Sequence, residues 1–264
     1  MQKNILKARL QLLGAMDLPT LRREIEQPDN LVLARARKRT ANFTEVWAPF
    51  DHINPGAKLA IVGLTPGRTQ MAEALTTCHA ALQAGHGEAE ALRAAKTHAS
   101  FAGFMRNNLV ALLDELGLAR ALDLGSTAEL WGAASDLVHF TSALRYPIFR
   151  NGENWSGAPG PMSIPMLTER IETTLVSELA QLDPACRILP LGGVAADACL
   201  HAAAKAGVDR DRILDGLPHP SGANGERIAI FLGRKPASAA SSRTNAQSLI
   251  AARSRLLDQM RRTA

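Results

Sequence analysis

"KLAIVGLTPGRTQ", residues 58–70, is the stretch on which the fold turns. Leu59 to Val62 are apolar at four consecutive positions, so the segment has no face to offer water. It then stops at Gly63 and at a Pro66–Gly67 turn. A strand covered on both sides reads this way, and such strands belong to parallel sheets. The loop that follows, "GLTPGRTQ", would then lie at the carboxyl end of a buried strand.

The rest of the chain repeats the alternation. Residues 71–99 are alanine-rich and helical, with a break near "AGHGE". "NNLVALLDELGLA" (107–119) has helical spacing and a glycine close to its end. "LVHFTSAL" (137–144) is a second strand, followed by the long glycine- and proline-rich loop "RYPIFRNGENWSGAPGPMS". "IPMLTERIETTLVSELAQL" (164–182) is an amphipathic helix with proline in its first turn. "CRILPLGG" (186–193) gives a third strand with a helix behind it, and "RILDGLPHP" (212–220) a short fourth. A final helix occupies about 240–262. Residues 1 to about 45 read as basic helices, with Pro19 suited to a first helical turn. Strands alternating with helices predict a parallel sheet covered on both faces. Ligands of such sheets bind beyond the carboxyl ends of the strands. Three loops belong there, "GLTPGRTQ", "TSALRYP" and "HPSGANGER", and they are expected to converge on one site.

With 264 residues and 46% hydrophobic side chains the chain can bury a substantial core. A single tyrosine, Tyr146, argues against an open aromatic platform for RNA. The formal charge is +5, which suits a polyanionic partner. Arg35, Arg37, Lys38 and Arg39 form one basic group, and Arg253, Arg255, Arg261 and Arg262 another. Either group is a solvated face or a phosphate contact. Cys78, Cys186 and Cys199 form no CxxC pair and cannot complete a four-thiolate site. With no signal peptide and no bilayer-length apolar run, the expectation is a cytoplasmic protein without membrane, metal or cofactor.

These loops, in this order, resemble the uracil-DNA glycosylase superfamily. "GLTPG" (63–67) is similar to its first motif, a turn that brings backbone and a water-positioning side chain under the sugar. "HPSG" (219–222) is similar to its second, whose histidine faces the base and whose loop enters the minor groove. "SFAGF" (100–104) before "LLDELGL" is similar to the segment that supplies a ring under the flipped base, which by position is Phe101. "FTSAL" (140–144) falls where the family has threonine-asparagine. The resemblance covers about residues 58–233. It implies a three-layer α/β/α sandwich around a mostly parallel four-stranded sheet. Residues 51–264 would form that domain, and 1–50 a basic helical N-terminal extension. It also implies a monomer that acts on DNA.

N-glycosidic hydrolysis must stabilise an oxocarbenium-like sugar and a departing base anion, and must place a water on the opposite face of the sugar. The base must first leave the helical stack. His219 is the candidate donor to the leaving base; its other reading is a structural cap on neighbouring backbone. Ser221 binds a phosphate oxygen or caps the helix that follows. Gly222 and Gly225 would allow close backbone approach. Ala223, Asn224 and Arg227 would enter or flank the groove, with Gly67 and Arg68 also against DNA. Phe101 is a stacking ring or a core phenylalanine.

Departures from the pattern bear on the substrate. Leu64 and Thr65 stand where the family carries a water-holding carboxylate or amide, and a hydroxyl is a poor base at neutral pH. Asp51, Glu73 and His139 are the alternative water-activating groups, each with a structural reading beside it. Ser142 replaces a base-reading asparagine, which argues against a pocket shaped for uracil. Residues 68–100 form a long insertion, and four cluster cysteines are lacking, which excludes an iron–sulfur member. The resemblance therefore points to a glycosylase for a modified base. In this it is similar to the anti-phage members that excise glucosylated hydroxymethylcytosine, which is the sharpest reading of the substrate. The alternatives are a repair enzyme for uracil, hypoxanthine or a mismatched pyrimidine, a catalytically weak DNA-binding relative and, last, an unrelated small-molecule α/β enzyme with "GLTPG" as a phosphate loop, which lacks a P-loop lysine and a GxGxxG.

Overall fold

The computed structural model describes residues 3–262. The chain begins with α1 (Lys3–Gly14) and α2 (Leu18–Glu26), then a hairpin of β1 (Val32–Lys38) and β2 (Ala41–Val46). Next come β3 (Leu59–Gly63), α3 (Arg68–Gln83), α4 (Glu88–Ala99), α5 (Phe104–Glu115), α6 (Leu118–Ala121) and β4 (Val138–Ser142). The short strands β5 (Ile148–Arg150) and β6 (Glu153–Asn154) precede α7 (Pro165–Arg170). A π-helical turn, Ile171–Leu175, joins α7 to α8 (Val176–Leu179). The chain closes with β7 (Arg187–Pro190), α9 (Gly193–Ala206), α10 (Gly225–Phe231) and α11 (Ala246–Arg261). These elements make a mixed α/β protein whose residues fall into two compact units.

The first unit comprises residues 1–53, 64–100 and 140–178. The N-terminal residues are thus part of a core and not an extension. Leu10, Leu13, Met16, Leu21 and Leu31 pack with Trp47, Met71, Leu75, Cys78 and Leu92 in one buried cluster. Polar ties follow the apolar ones. His79 Nε2 lies 2.9 Å from the Met16 carbonyl, and Gln83 Nε2 donates to Gly14 O at 2.6 Å. Asp17 caps α2 by accepting from Thr20 N–H, and Pro19 sits in the first turn as expected. Residues 32–46, expected as helix, are instead two antiparallel strands. They belong to an antiparallel sheet of order β1–β2–β5–β6. The supposed long loop after residue 145 supplies half of that sheet.

The second unit comprises residues 54–63, 101–139 and 179–264. Its central strand, β3, is buried at every position and pairs in parallel with β7, Leu59 opposite Arg187 and Val62 opposite Pro190. The sheet order is β4–β3–β7. Helix α9 packs on β7 and β3. The expected fourth strand is present only as two parallel bridges, Ile188 to Ile213 and Leu191 to Leu217. Its run is interrupted by Asp215 and Gly216, so regular pairing does not develop. Three paired parallel strands therefore stand where four were expected, beside an antiparallel sheet that was not expected.

Candidate active site

Two of the three expected loops meet within the first unit. Leu144 N–H donates to Leu64 O at 2.9 Å, joining "GLTPG" to "TSALRYP". Thr65 extends the junction with its side chain. Its hydroxyl donates to Tyr146 O at 3.0 Å and accepts from Ile148 N–H at 3.1 Å. The proton and one lone pair are thus occupied by backbone. One lone pair is left to accept from a water, but the group cannot take a proton from it. Leu64 and Ser142 are each half-buried beside this junction in the chain.

Arg68 departs from its expected place on DNA. Nη1 donates to Ile25 O at 2.8 Å and Glu26 O at 2.9 Å, and Nη2 to Gly152 O at 2.7 Å. The guanidinium also lies over the Phe149 ring, 4.4 Å from its centroid. With these donors turned onto its own chain, Arg68 is a clamp that ties α2, the start of α3 and the β5–β6 turn together. Asn154 Oδ1 accepts from Arg68 N–H at 2.9 Å, and Gln70 Oε1 from Gly67 N–H at 3.0 Å. Gly67 thus opens α3 with its amide already satisfied from within.

Below the "TSALRYP" loop lies a buried ionic group that sequence reading missed. Arg145 pairs with Glu178 through Nε, at 3.0 Å, and through Nη2. Lys96 Nζ is 3.6 Å from the other Glu178 oxygen and donates to His52 O at 2.6 Å. Asp51 accepts from Tyr146 Oη and from Trp47 Nε1, and lies 3.8 Å from Arg145 Nη1. All these side chains are more than nine-tenths buried. Burial lowers the Lys96 ammonium to about 8 and raises the Tyr146 phenol above its ordinary range. Asp51 is therefore a structural carboxylate. Glu73 faces solvent with His98 at 3.2 Å, and His139 Nδ1 accepts from Asn54 N–H at 3.3 Å. None of the three is placed as a free base.

The third loop, residues 217–227, belongs to the second unit. His219 Nδ1 accepts from Ser221 N–H at 3.2 Å. Burial disfavours the imidazolium and lowers its pKa. A neutral ring that accepts at Nδ1 carries its proton on Nε2, so the fold selects one tautomer. Gly192, which sequence reading passed over, buttresses this ring. It has φ 83° and ψ 160°, a region open almost only to glycine, and a Cβ there would lie 3.2 Å from His219 Cβ. Asn108 on α5 donates through Nδ2 to Pro220 O at 2.9 Å and fixes the loop from the other side.

Beyond His219 the loop ties Asn224 and Arg227 to its own chain and leaves the Ser221 hydroxyl proton and the Gly222 backbone open. Ser221 makes no capping bond to the helix that follows. Its oxygen accepts from Asn224 Nδ2 at 3.1 Å, while Asn224 Oδ1 accepts from Arg227 Nη1 at 2.9 Å. The Ser221 proton is therefore available to an outside acceptor. Gly222 and Ala223 are exposed, and a Cβ at Gly222 would touch nothing. From Gly216 to Leu257 the one acidic residue is Glu226. Lys235, Ser241 and Thr244 bond its carboxylate, which holds it well below the usual carboxylate range. The loop is thus set in a cationic stretch. Two of the C-terminal arginines are tied to their own chain: Arg253 pairs with Glu115, and Arg255 donates to Asp215 O, while Arg261 and Arg262 are exposed.

Phe101 is 5% exposed, so its ring is packed and presents no open platform. Its backbone is left-handed, at φ 52°, which is strained for a bulky residue. The exposed aromatic of the same segment is Phe104, at 88%. Among the described residues no three His, Cys, Asp or Glu side chains could hold a metal ion, and no helix is long and apolar enough to cross a membrane. The three thiols are buried, and burial pushes each up, Cys186 to about 11.

The fold and these loops define a mixed α/β protein with candidate residues on strand-end loops of each unit. It is 35% identical over 187 residues to the uncharacterized protein YoxB of Bacillus subtilis (strain 168), covering 70% of this chain and 73% of YoxB. The chain belongs to the YoxB family. No protein-family model and no solved structure matches it.

Proposed function

We propose that the protein is a DNA glycosylase that hydrolyses the N-glycosidic bond of a flipped-out, modified base and leaves an abasic site. The observation that carries this reading is the 217–227 loop. It holds a neutral histidine with its proton on Nε2, next to a serine hydroxyl and bare glycine backbone in a cationic stretch. A neutral N–H donor suits a base that departs as an anion, because it bonds more strongly as charge develops. Ser221 and the Gly222 backbone suit a phosphate, and Arg227 a groove edge. The uracil-DNA glycosylase resemblance supports the same roles. It also supports a three-layer α/β/α sandwich in which the 213–217 run completes a four-stranded parallel sheet.

Thr65 gives the mechanism its character. With its proton on Tyr146 O it can orient a water but not deprotonate it. Where no base deprotonates the water, bond cleavage runs ahead of water attack. Ser142, in place of an amide, lacks the paired donor and acceptor that would read uracil, which suits a base with a different edge. Glucosylated hydroxymethylcytosine is the preferred substrate, ahead of uracil, hypoxanthine or a mismatched pyrimidine.

The test is a panel of oligonucleotides carrying each of these bases, scored for alkali-labile abasic sites. We expect product from the modified cytosine, with His219→Ala lowering the rate on the order of a hundredfold or more. The same bracketing of Thr65 favours one competing reading, a DNA-binding relative without hydrolytic activity. DNA binding with no abasic product on any base would decide for that competitor.

A further inference from the structure

Phe104 is a large apolar side chain that the folded protein does not use. It is 88% exposed at the first position of α5. Phe104 and Asn108 are four residues apart in one helix and so share a face. Asn108 donates to Pro220 O in the His219 loop. The ring therefore stands one helical turn from the residue that anchors that loop. The turn before it carries two positive φ angles, Phe101 at 52° and Gly103 at 74°. The first turn of α5 carries no acidic residue, so its amide ends favour an anionic neighbour. Solvent exposure, adjacency to the loop and the lack of negative charge together suit an aromatic contact to nucleic acid.

Resting on the glycosylase reading, we infer that Phe104 enters the duplex and stacks on the base left without a neighbour when the target nucleotide swings out. Flipping removes a stacking partner from the adjoining base, and an apolar ring that fills the gap recovers that contact. Phe101, enclosed in the protein, cannot do this. Phe104 is thus a positioning residue that holds the opened state of the DNA and touches no reacting atom.

The experiment compares affinity for an intact duplex with affinity for a duplex carrying a tetrahydrofuran abasic analogue, which presents the gap ready-made. Wild-type protein should prefer the gapped duplex. Phe104→Ala should lose roughly tenfold on it, as expected for one base–aromatic stack, and less than about twofold on the intact duplex. Phe104→Trp should restore the preference, and its added fluorescence should be quenched on binding. Circular dichroism of both variants should match wild type, because the side chain is exposed. Equal loss on both duplexes, or none on either, overturns the inference and leaves the glycosylase reading standing. Loss of self-association with DNA binding unchanged would make Phe104 a protein contact and also overturn it. Failure of wild type to bind either duplex would bring down both.

Discussion

The loop after β3 and the loop at 217–227 look alike as sequence, each a short run of glycine, proline and hydroxyl residues with an arginine close by. In the structure they work in opposite directions. Around Thr65 the polar groups turn inward: the hydroxyl bridges two backbone positions, and Arg68 caps three carbonyls of its own chain. Around His219 they turn outward: Ser221 keeps its proton, Gly222 is bare, and only Nδ1 of the imidazole is tied down. Residue types in a strand-end loop therefore do not decide whether it is scaffold or contact. What decides is whether its donors are already satisfied by the fold.

The sharpest way to break this comparison is to remove the support of the inward loop. Glu178→Ala would leave Arg145 and Lys96 buried without their carboxylate, at a cost of about 3–5 kcal/mol. Urea titration should show a lower midpoint, and on the glycosylase reading the folded protein should keep most of the affinity for DNA which that reading assigns to it. A midpoint equal to wild type would mean that the ionic group does not hold the loop.

Next in size is Gly192→Ala. The backbone there costs a non-glycine residue about 1–3 kcal/mol, and the new methyl must move His219 by a few tenths of an ångström. On the glycosylase reading, abasic-site formation should fall more steeply than stability does; a proportionate fall would deny Gly192 its part in placing the ring. The pH profile probes the same histidine more gently. Burial lowers its pKa, so between that value and the ordinary imidazole range, near 6.5, the folded ring stays neutral while the unfolded chain takes up a proton. Stability should therefore decline as pH falls through about 6.5, and His219→Gln should remove that portion of the decline. Activity should hold to lower pH than a free imidazole would allow. A rate that rises on acidification would show that the charged ring is the working form.

The legible parts of the fold were those set by local pattern. Leu59–Val62 could only be a strand buried on both faces, and "AGHGE" interrupts its helix where Gly85 turns left-handed. The antiparallel sheet was missed because its strands pair across a hundred residues, Phe43 with Arg150. A signal is present in that Ala34, Arg35, Ala36 and Arg37 alternate with the period of a strand, but the same charges also suit an exposed helix face. His219 and Ser221 could be singled out because loops rarely carry such side chains for packing. Gly192 could not, since its meaning lies in the ring that packs against it from a distant part of the chain. Arg68 misled for the same reason: an arginine after a glycine turn looks the same whether carbonyls or phosphates await it.

Gly222 offers the smallest effect on the protein and the cleanest separation of scaffold from contact. Its φ is not left-handed, and a Cβ there would meet nothing within 4 Å. Gly222→Ala therefore should not strain the fold, and its midpoint in urea should lie within about 0.5 kcal/mol of wild type. The fold gives no reason for a glycine at this position, so any demand for one comes from outside. If DNA backbone approaches here, the methyl should weaken binding several-fold and shallow the salt dependence, because a phosphate contact is held further off. The corresponding change in the inward loop reads differently. At Gly67→Ala the methyl would sit 3.5 Å from the Asn154 amide, in ordinary contact, and DNA affinity should not change. Two alanines that leave the fold equally intact, yet differ in their effect on binding, would separate the contact loop from the scaffold loop. If both left affinity unchanged, the outward loop would lose its claim to the DNA.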